Sequence, residues 1–296
     1  MTQSGVSNTT IIKAQEEQLE RVPDLLVTEA PLEIRLIHKN DDQILDSTVT
    51  VTMRTPGNDI ELVIGFLFAE GIIDSFQAIK SIQYCQKTAP KDQGNRIKVF
   101  LNANYEIDIS LLDRNFAATS SCGVCGKRSL EQLQTIFPKT HSTDLTIPLA
   151  TLYSLSEKLN SQQHLFNHTG GLHAAALFDK NGSLLYARED IGRHNALDKV
   201  LGQTLTKSKT LFDTSILFLS SRIGYEIIQK AAMARIPIVV AVGAPSNLAV
   251  EIAKKAEITL IGFAKDNSLN IYSGASRIAE AKYLNATKLN TINFVG

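Results

Sequence analysis

The chain has 296 residues, of which 44% are apolar and 20% are charged, a composition typical of soluble globular proteins. Thirty basic and thirty acidic side chains cancel, so the formal net charge is zero. No overall positive field therefore favours nucleic acid or a membrane surface as a partner, and an anionic partner would need a local binding site.

Several absences point to the same compartment. No apolar run is long enough to span a bilayer, and the polar N-terminus lacks the apolar segment of a secretory signal. Three cysteines in a chain of this length do not form a disulfide framework. We therefore expect a cytoplasmic protein whose thiols are reduced.

The first half of the chain predicts a small α+β unit. Polar residues dominate positions 1–22, where we expect a mobile tail. Residues 23–137 then form the predicted N-terminal α+β domain, which begins with two alternating runs typical of a β-hairpin. Its expected elements are strands at 29–37, 47–53, 79–85 and 96–101 and a helix at 60–68.

Residues 138–296 form the predicted C-terminal domain, where apolar strands alternate with amphipathic helices. This pattern indicates a three-layer α/β unit, a sheet with helices packed on both faces. Asn181 and Gly182 predict a tight turn between its first two strands. The expected fold class of the chain is α/β, with a mixed α+β N-terminal part. The C-terminal elements are helices at 149–160, 192–202, 224–234 and 246–256 and strands at 171–178, 183–188, 215–219, 236–242, 258–263 and 269–272.

The most reactive side chains lie in a loop at 115–126 that is rich in glycine and serine. Cys122 and Cys125 are spaced C-x-x-C there, and Lys127 and Arg128 follow at the predicted start of a helix. The positive side chains and the helix start both favour thiolate over thiol. The pattern is therefore typical of a nucleophilic sulfur.

Three other roles for the cysteine pair compete with this interpretation. A structural zinc site needs a second ligand pair, which Cys85 and scattered histidines do not supply. A thioredoxin-type redox pair would begin a helix directly after a strand, whereas this pair lies in a long loop. Cysteines that fill a core would have larger and less polar neighbours. A sulfur that carries a group or attacks an electrophile fits best.

Charged side chains crowd around the predicted helix start at 189–199. Arg193 and His194 fall in its first turn, where cations are disfavoured unless an anion lies between them and the exposed amides. A solvated charged face is the alternative. Upstream, Gly170 and Gly171 precede a strand, where they would let backbone approach a ligand or simply form a turn.

Polar side chains also follow three predicted strands of the second half. Ser221 and Arg222 follow one strand, Ser246 follows the next and Lys265 follows the third. Open α/β sheets bind ligands at such strand ends, so we expect a crevice for a phosphate or nucleotide. No P-loop and no G-x-G-x-x-G is present, so ordinary ATP or NAD chemistry is not indicated. His173, on an apolar strand, is either a ligand contact or a buried core histidine.

With these residues in view, the sequence resembles the FdhD family over nearly all of residues 29–272. The ordered, long matches make the resemblance specific. The segments that carry it are M-R-T-P-G-N-D at 53–59, G-F-L-F-A-E-G-I-I at 65–73, S-C-G-V-C-G at 121–126, T-G-G-L-H-A-A at 169–175, E-D-I-G-R-H-N-A-L-D-K at 189–199, S-S-R at 220–222 and Q-K-A-A-M at 229–233.

The resemblance implies a sulfurtransferase that serves formate dehydrogenase. Such a protein accepts sulfur from a cysteine desulfurase and passes it to the molybdenum (or tungsten) cofactor that carries two guanine dinucleotides. Cys122 matches the persulfide carrier and Cys125 the second thiol. The cofactor would be bound as a substrate, and no resident metal is expected. A non-catalytic chaperone that binds and delivers this cofactor is the alternative.

The resemblance also implies contacts, fold and assembly. The family's cofactor-contacting stretch matches 263–268, although 266–268 depart from the glycine and basic residues often found there. The C-terminal domain is similar to cytidine deaminases in fold but lacks their zinc signature, and family members form homodimers. The candidate cofactor-binding residues are Gly170, Gly171, His173, Arg193, His194, Ser221, Arg222, Phe263, Ala264, Lys265, Asp266, Asn267 and Ser268.

Overall fold

The computed structural model describes residues 4–40, 43–85, 93–107, 138, 145–265 and 267–283. These residues contain a two-stranded, a four-stranded and a six-stranded sheet. The cysteine loop at 115–126 and the helix predicted after it lie outside the described residues. Among the helices of the described segments, none is both long and apolar enough to cross a membrane.

The four-stranded sheet contains residues of the first half and has the strand order β4-β3-β6-β5. Along β3, Leu32, Ile34 and Leu36 are buried, since alternate side chains of a strand point to one face, here the core shared with α1. The predicted hairpin and helix are confirmed within two or three residues at most ends. The elements are β3 (Ala30–Asn40), β4 (Gln43–Arg54), α1 (Asp59–Ala69), β5 (Ile79–Tyr84) and β6 (Arg96–Leu101).

The six-stranded sheet has the order β12-β11-β10-β9-β7-β8, with β9, β10 and β11 parallel and the outer pairs antiparallel. Every strand and helix predicted for this half is present. The elements are α2 (Leu149–Asn160), α3 (His164–Thr169), β7 (His173–Phe178), β8 (Leu184–Asp190), α4 (Arg193–Lys207), β9 (Ile216–Leu219), α5 (Tyr225–Met233), β10 (Ile238–Ala241), α6 (Asn247–Lys255), β11 (Thr259–Lys265) and β12 (Ser268–Ser273).

Helices cover both faces of this sheet, as its apolar strands predict. Phe218 on β9 packs in a cluster with the leucines of α2, whereas its neighbour Leu217 packs in the larger cluster that contains α4, α5 and α6. The larger cluster also contains α1 and the inner face of the four-stranded sheet. One continuous core therefore joins the two halves of the chain.

Helices α1 and α4 cross at two glycines. A methyl group on Gly65 would lie 1.8 Å from the carbonyl oxygen of Asp198, and one on Gly202 would lie 1.9 Å from the carbonyl oxygen of Glu61. The two backbones therefore touch without side chains between them. This close crossing places the start of α4 against the N-terminal half.

One prediction for the N-terminus was wrong. Within 1–22, where we expected a tail, β1 (Val6–Gln15) begins a regular antiparallel pair with β2 (Gln18–Val27). Most side chains of this hairpin are exposed on both faces, so its sequence lacks the alternation of apolar and polar residues that would predict the two strands. The turn contains Glu16, at φ 54°, and Glu17 rather than the asparagine and glycine that usually mark a two-residue hairpin.

Candidate functional site

The sheet brings several predicted site residues to one edge. Strand β7 is antiparallel to β9, so β7 begins where β9 ends. There the Ser220 amide donates to the Ala174 carbonyl at 3.0 Å, and the Ala174 amide donates to Ser220 Oγ at 2.8 Å. His173, the first residue of β7, therefore lies beside Ser221 and Arg222.

The next two strand ends continue this edge. The Gly243 amide donates to the Ser221 carbonyl, and the Phe263 amide donates to the Gly243 carbonyl, each at 3.3 Å. A methyl group on Gly243 would lie 2.8 Å from Arg222 Cα, so only glycine fits there without a shift of the backbone. The predicted convergence of the three strand ends is confirmed as geometry.

We call His173, Arg193, His194 and Arg222 the crevice edge. Burial, followed by the charges of Arg193, Arg222 and His194, lowers the pKa of His173 below its usual 6.5, and Asp190 opposes this effect. The three charged groups are therefore near enough to act on one imidazole. Strand β8 ends opposite the start of β7, with Asp190 in register with His173, which brings the following helix α4 to the same place.

The two arginines of the crevice edge lack a carboxylate partner among the described residues. Arg193 Nε is buried without a hydrogen-bond partner there, whereas the Arg222 residue is exposed. His194 does face a carboxylate, since its Nε2 lies 2.8 Å from Glu226 Oε2 on α5. The edge thus carries surplus positive charge, which suits an anionic ligand.

Other residues of the crowded 189–199 segment turn away from this edge. Asp190 and Lys199 form a buried ion pair at 2.7 Å, and Lys199 Nζ also donates to the Thr55 carbonyl at 2.9 Å. Asn195 donates to the Met53 carbonyl at 2.7 Å. These side chains attach α4 to the end of β4, so the crowding that suggested ligand binding is in part structural.

A second buried group of charges lies between α4 and α5. Lys230 Nζ lies 2.9 Å from Asp198 Oδ1 and 3.4 Å from Glu70 Oε1, at the end of α1. Burial outweighs the attraction of Lys230 and raises the pKa of Asp198 to about 6. We call the two buried groups around Asp190–Lys199 and Asp198–Lys230 the inner charge network.

Within the stretch at 263–268, residues 263–265 end β11 and Ser268 begins β12, and Lys265 pairs with Ser268. The register shifts between Gly262 and Lys265, which is a β-bulge, and Phe263 within it has φ 54° and is 48% exposed. An aromatic side chain held out in a rare backbone conformation is a candidate ligand contact. Of the neighbouring candidates, Asp266 lies outside the described residues, Ala264 is buried, and Lys265, Asn267 and Ser268 are exposed.

The remaining predicted residues have different surroundings. Gly170 ends α3 with φ 66°, a usual role of glycine at a helix C-terminus. A methyl group on Gly171 would lie 3.1 Å from Val27 Cγ1, so β2 occupies the space that this glycine leaves. Cys122 and Cys125 lie outside the described residues.

Sequence reasoning missed Glu226. Acidic residues are common in the first turn of a helix, where they interact favourably with its dipole, so Glu226 at the start of α5 carried no specific signal. Its place opposite His194 depends on the packing of α5 against α4. Glu226 and Lys230 are four residues apart and therefore lie on one face of α5. This spacing is the one sequence cue for the pairing of Glu226 with His194.

Comparisons with known proteins give a consistent result. The chain is 44% identical to the Sulfur carrier protein FdhD of Mycolicibacterium paratuberculosis over 262 residues, covering 86% of this chain and 92% of the relative. It is 40% identical to the protein of that name from Streptomyces coelicolor, over 91% of this chain and 94% of the relative.

A solved structure and a family model agree with these relatives. A crystal structure from Desulfotalea psychrophila, provisionally described as a formate dehydrogenase accessory protein, matches with a TM-score of 0.70 at 24% identity. The match covers 93% of this chain and 99% of that one, and it shows a shared fold. The FdhD/NarQ family model matches residues 27–279. The chain therefore belongs to the FdhD/NarQ family.

Proposed function

We propose that this chain is a sulfur carrier for formate dehydrogenase. It takes sulfur from a cysteine desulfurase as a Cys122 persulfide and transfers it to the molybdenum cofactor that carries two guanine dinucleotides. Relatives named sulfur carrier proteins support the first part of the proposal. The crevice edge supports the second part.

The observation that carries the proposal is the surplus positive charge of the crevice edge. Arg193 and Arg222 have no carboxylate partner among the described residues, although buried lysines nearby are fully paired. Guanidinium groups match the oxygens of a diphosphate, and charge-assisted hydrogen bonds of this kind are about twice as strong as neutral ones. The exposed ring of Phe263, two strands away, offers a face on which a guanine base can stack.

The proposed chemistry moves one sulfur atom in two exchange steps. The Cys122 thiolate attacks the outer sulfur of the desulfurase persulfide, which forms Cys122–S–SH and releases the desulfurase thiolate. The Cys125 thiolate then attacks the inner sulfur of this persulfide. A Cys122–Cys125 disulfide forms and hydrosulfide leaves towards the cofactor, with the two thiols supplying the two electrons. A cellular dithiol must reduce the disulfide before the next cycle.

The proposal includes the wider expectations that the family resemblance raised. The six-stranded sheet with its helices has the cytidine deaminase topology, the protein acts as a homodimer, and it works in the cytoplasm. The mixed sheet with helices on both faces supports the first of these. The role of the two cysteines is supported by sequence and family.

Mass spectrometry tests the proposed carrier. After incubation with a cysteine desulfurase and cysteine, the intact protein should gain about 32 Da, roughly one sulfur atom, which dithiothreitol removes. Sulfinic acid adds a similar mass but resists the reductant, so the treatment separates the two. Cys122→Ala should lose the adduct, whereas Cys125→Ala should keep it. An adduct on Cys122→Ala that still transfers to the cofactor would show that the carrier is wrongly assigned.

Activation of formate dehydrogenase separates the carrier from a cofactor chaperone. Cys122→Ser changes one atom and leaves the crevice edge intact. A carrier loses activation with this change, while a chaperone that only binds and delivers the cofactor keeps it. Full activation by Cys122→Ser would therefore replace the sulfur-carrier proposal with the chaperone.

A further inference from the structure

We infer that Thr55 is a positioning residue for the crevice edge, because its hydroxyl group holds the turn between β8 and α4 and thereby fixes the place of Arg193. Thr55 directly follows β4 in the N-terminal half and is only 1% exposed. It is therefore hidden from a ligand and acts through the turn. The inference rests on the proposed function, since Arg193 belongs to the proposed cofactor site.

All three polar groups of Thr55 bind the segment at 189–199. Its amide donates to Asp190 Oδ2 at 3.2 Å, and its carbonyl accepts from Lys199 Nζ at 2.9 Å. Its Oγ1 accepts from the Ile191 amide, also at 3.2 Å. The first two contacts use the Thr55 backbone, which every substitution except proline keeps. Only the third contact depends on the side chain, so a change of side chain at this position tests the hydroxyl group.

The turn between β8 and α4 consists of Ile191 and Gly192, and the amides of both residues are occupied. The Gly192 amide donates to Asp190 Oδ1 at 2.9 Å, and the Ile191 amide donates to Thr55. The turn is therefore held from both halves of the chain, by Asp190 at the end of β8 and by Thr55 after β4. Arg193 follows as the first residue of α4, so a displacement of the turn displaces this arginine.

Arg193 depends on this support, because its side chain is weakly held. Among the described residues, its buried Nε has no hydrogen-bond partner. Gly192, which precedes it, gives the start of α4 no side-chain cap. The place of the guanidinium group is therefore set by the backbone that carries it. A displacement of about 1 Å would take its N–H groups beyond hydrogen-bond distance of a bound diphosphate.

The two γ-substituents of Thr55 have different neighbours. The hydroxyl group faces the turn, whereas the methyl group faces the N-terminal segment, since a methyl group on Gly5 would lie 3.4 Å from Thr55 Cγ2. Valine keeps the shape of threonine and removes the acceptor for the Ile191 amide. Serine keeps this acceptor and removes the methyl group. The two substitutions therefore separate positioning of the turn from packing between the two halves of the chain.

Calorimetric binding of guanosine diphosphate to the full chain tests the inference. Thr55→Val leaves the part-buried Ile191 amide without its acceptor, and the affinity should fall about five- to tenfold as the turn moves. Thr55→Ser should bind as the wild type does. The matched control is Thr204→Val, which removes a buried hydroxyl group that bonds the Val200 carbonyl within α4. It should leave the affinity unchanged.

Two results of this measurement overturn the inference. One is wild-type affinity in Thr55→Val. The other is equal weakening by Thr55→Val and Thr55→Ser, which would make packing rather than the hydroxyl group responsible. Thr55→Ala also removes the hydroxyl group and adds no atoms, so it replaces Thr55→Val if the valine variant does not fold, with the same expected loss.

A double-mutant cycle shows whether Thr55 acts through Arg193. Arg193→Gln weakens binding by itself, and Thr55→Val should cause little further loss in that background. If Thr55→Val weakens binding by the same factor with and without Arg193, Thr55 acts by another route and the inference fails.

The titration of His173 reports the place of Arg193 without a ligand. Burial lowers the pKa of His173 most, and the charge of Arg193 lowers it further. Proton NMR should therefore show a higher pKa of His173 in Thr55→Val but not in Thr55→Ser or Thr204→Val. If the wild type fails to bind guanosine diphosphate but this pKa rises, the cofactor site is wrong and the positioning role stands. If nucleotide binds and neither the affinity nor the pKa responds to Thr55→Val, the inference alone is overturned.

Discussion

Two groups of charges in this molecule lie a few residues apart and have opposite characters. In the inner charge network, the Asp190 and Lys199 side chains are 0% and 2% exposed and are paired with each other. At the crevice edge, Arg193 and Arg222 face no carboxylate of the described residues. The 189–199 segment contributes residues to both groups. One short, highly charged motif can therefore stabilise the fold with some of its side chains and bind a ligand with others.

The difference follows from burial. A charge withdrawn from water needs a partner, because the desolvation cost of an isolated ion exceeds the stability of a whole domain. A charge at an open edge, such as that of the exposed Arg222, keeps its hydration until a ligand arrives, so it can remain unpaired. Changes in the inner charge network should therefore alter stability, and changes at the crevice edge should alter binding.

The largest expected effect is the loss of a buried partner. Lys199→Met leaves the Asp190 carboxylate buried and unpaired, and we expect the free energy of unfolding to fall by about 3–5 kcal/mol in urea denaturation. The matched control is Lys98→Met, whose pair with Asp46 at 2.6 Å has side chains that are 33% and 38% exposed. That variant should lose about 0–1 kcal/mol. Equal losses would mean that burial does not separate the two pairs.

The close crossing of α1 and α4 gives the next effect. Gly65→Ala places a methyl group against the Asp198 carbonyl and should cost about 3 kcal/mol of unfolding free energy, because backbone rather than a flexible side chain must move. Gly224→Ala is the control, since nothing lies within 4 Å of its methyl group. It should cost under about 1 kcal/mol as a less favourable N-cap. A tolerated Gly65→Ala would show that the helices can separate without loss.

Local patterns predicted most of the fold. The strand at 96–101 and the helix at 149–160 coincide with β6 and α2, because alternation and leucine spacing are strong there. The hairpin of β1 and β2 escaped prediction, because it has neither a buried face nor a turn residue. At the open end of the hairpin, the Thr28 amide donates to the Gly5 carbonyl at 2.9 Å, which extends the pairing by one hydrogen bond.

The site was predictable only where topology alone determines it. Strand ends of a parallel sheet meet at one edge, so Arg222 and Phe263 could be placed together. The partners of Lys199 could not, because Thr55 is 144 residues away and no periodicity reports such a contact. Glu226 was missed for the same reason.

Binding should respond to the crevice edge without a change in stability. Arg193→Gln with Arg222→Gln removes the surplus charge, and the affinity for guanosine diphosphate should fall by about 10- to 100-fold, or about 1.4–2.7 kcal/mol. The free energy of unfolding should stay within about 0.5 kcal/mol. The control is Lys254→Gln with Lys255→Gln, which removes two exposed cations from the last turn of α6. If both pairs weaken binding equally, net charge rather than this edge attracts the nucleotide.

The smallest effect is a titration that measures the surplus charge directly. Burial and then the cations Arg193 and Arg222 lower the pKa of His173, so Arg222→Gln should raise that pKa towards its usual 6.5. Proton NMR of the imidazole follows the change, and Lys255→Gln should leave it unmoved. A pKa of His173 that stays low in Arg222→Gln would leave burial and the other cations as its causes and would remove Arg222 from the crevice edge.

The lowered pKa of His173 also determines in which direction the free energy of unfolding changes with pH. Because the pKa of His173 is lower in the folded state, the unfolded chain binds more protons as the pH falls below about 6.5. This residue therefore makes the protein less stable on the acid side, and Arg222→Gln should lessen that loss. Lys199→Met leaves the burial of His173 and the cations around it unchanged, so it should lower the stability curve while this acid-side loss remains. The free energy of unfolding, measured against pH, thus distinguishes the two charges. Loss of the paired, buried charge lowers the curve, whereas loss of the unpaired charge changes its slope on the acid side.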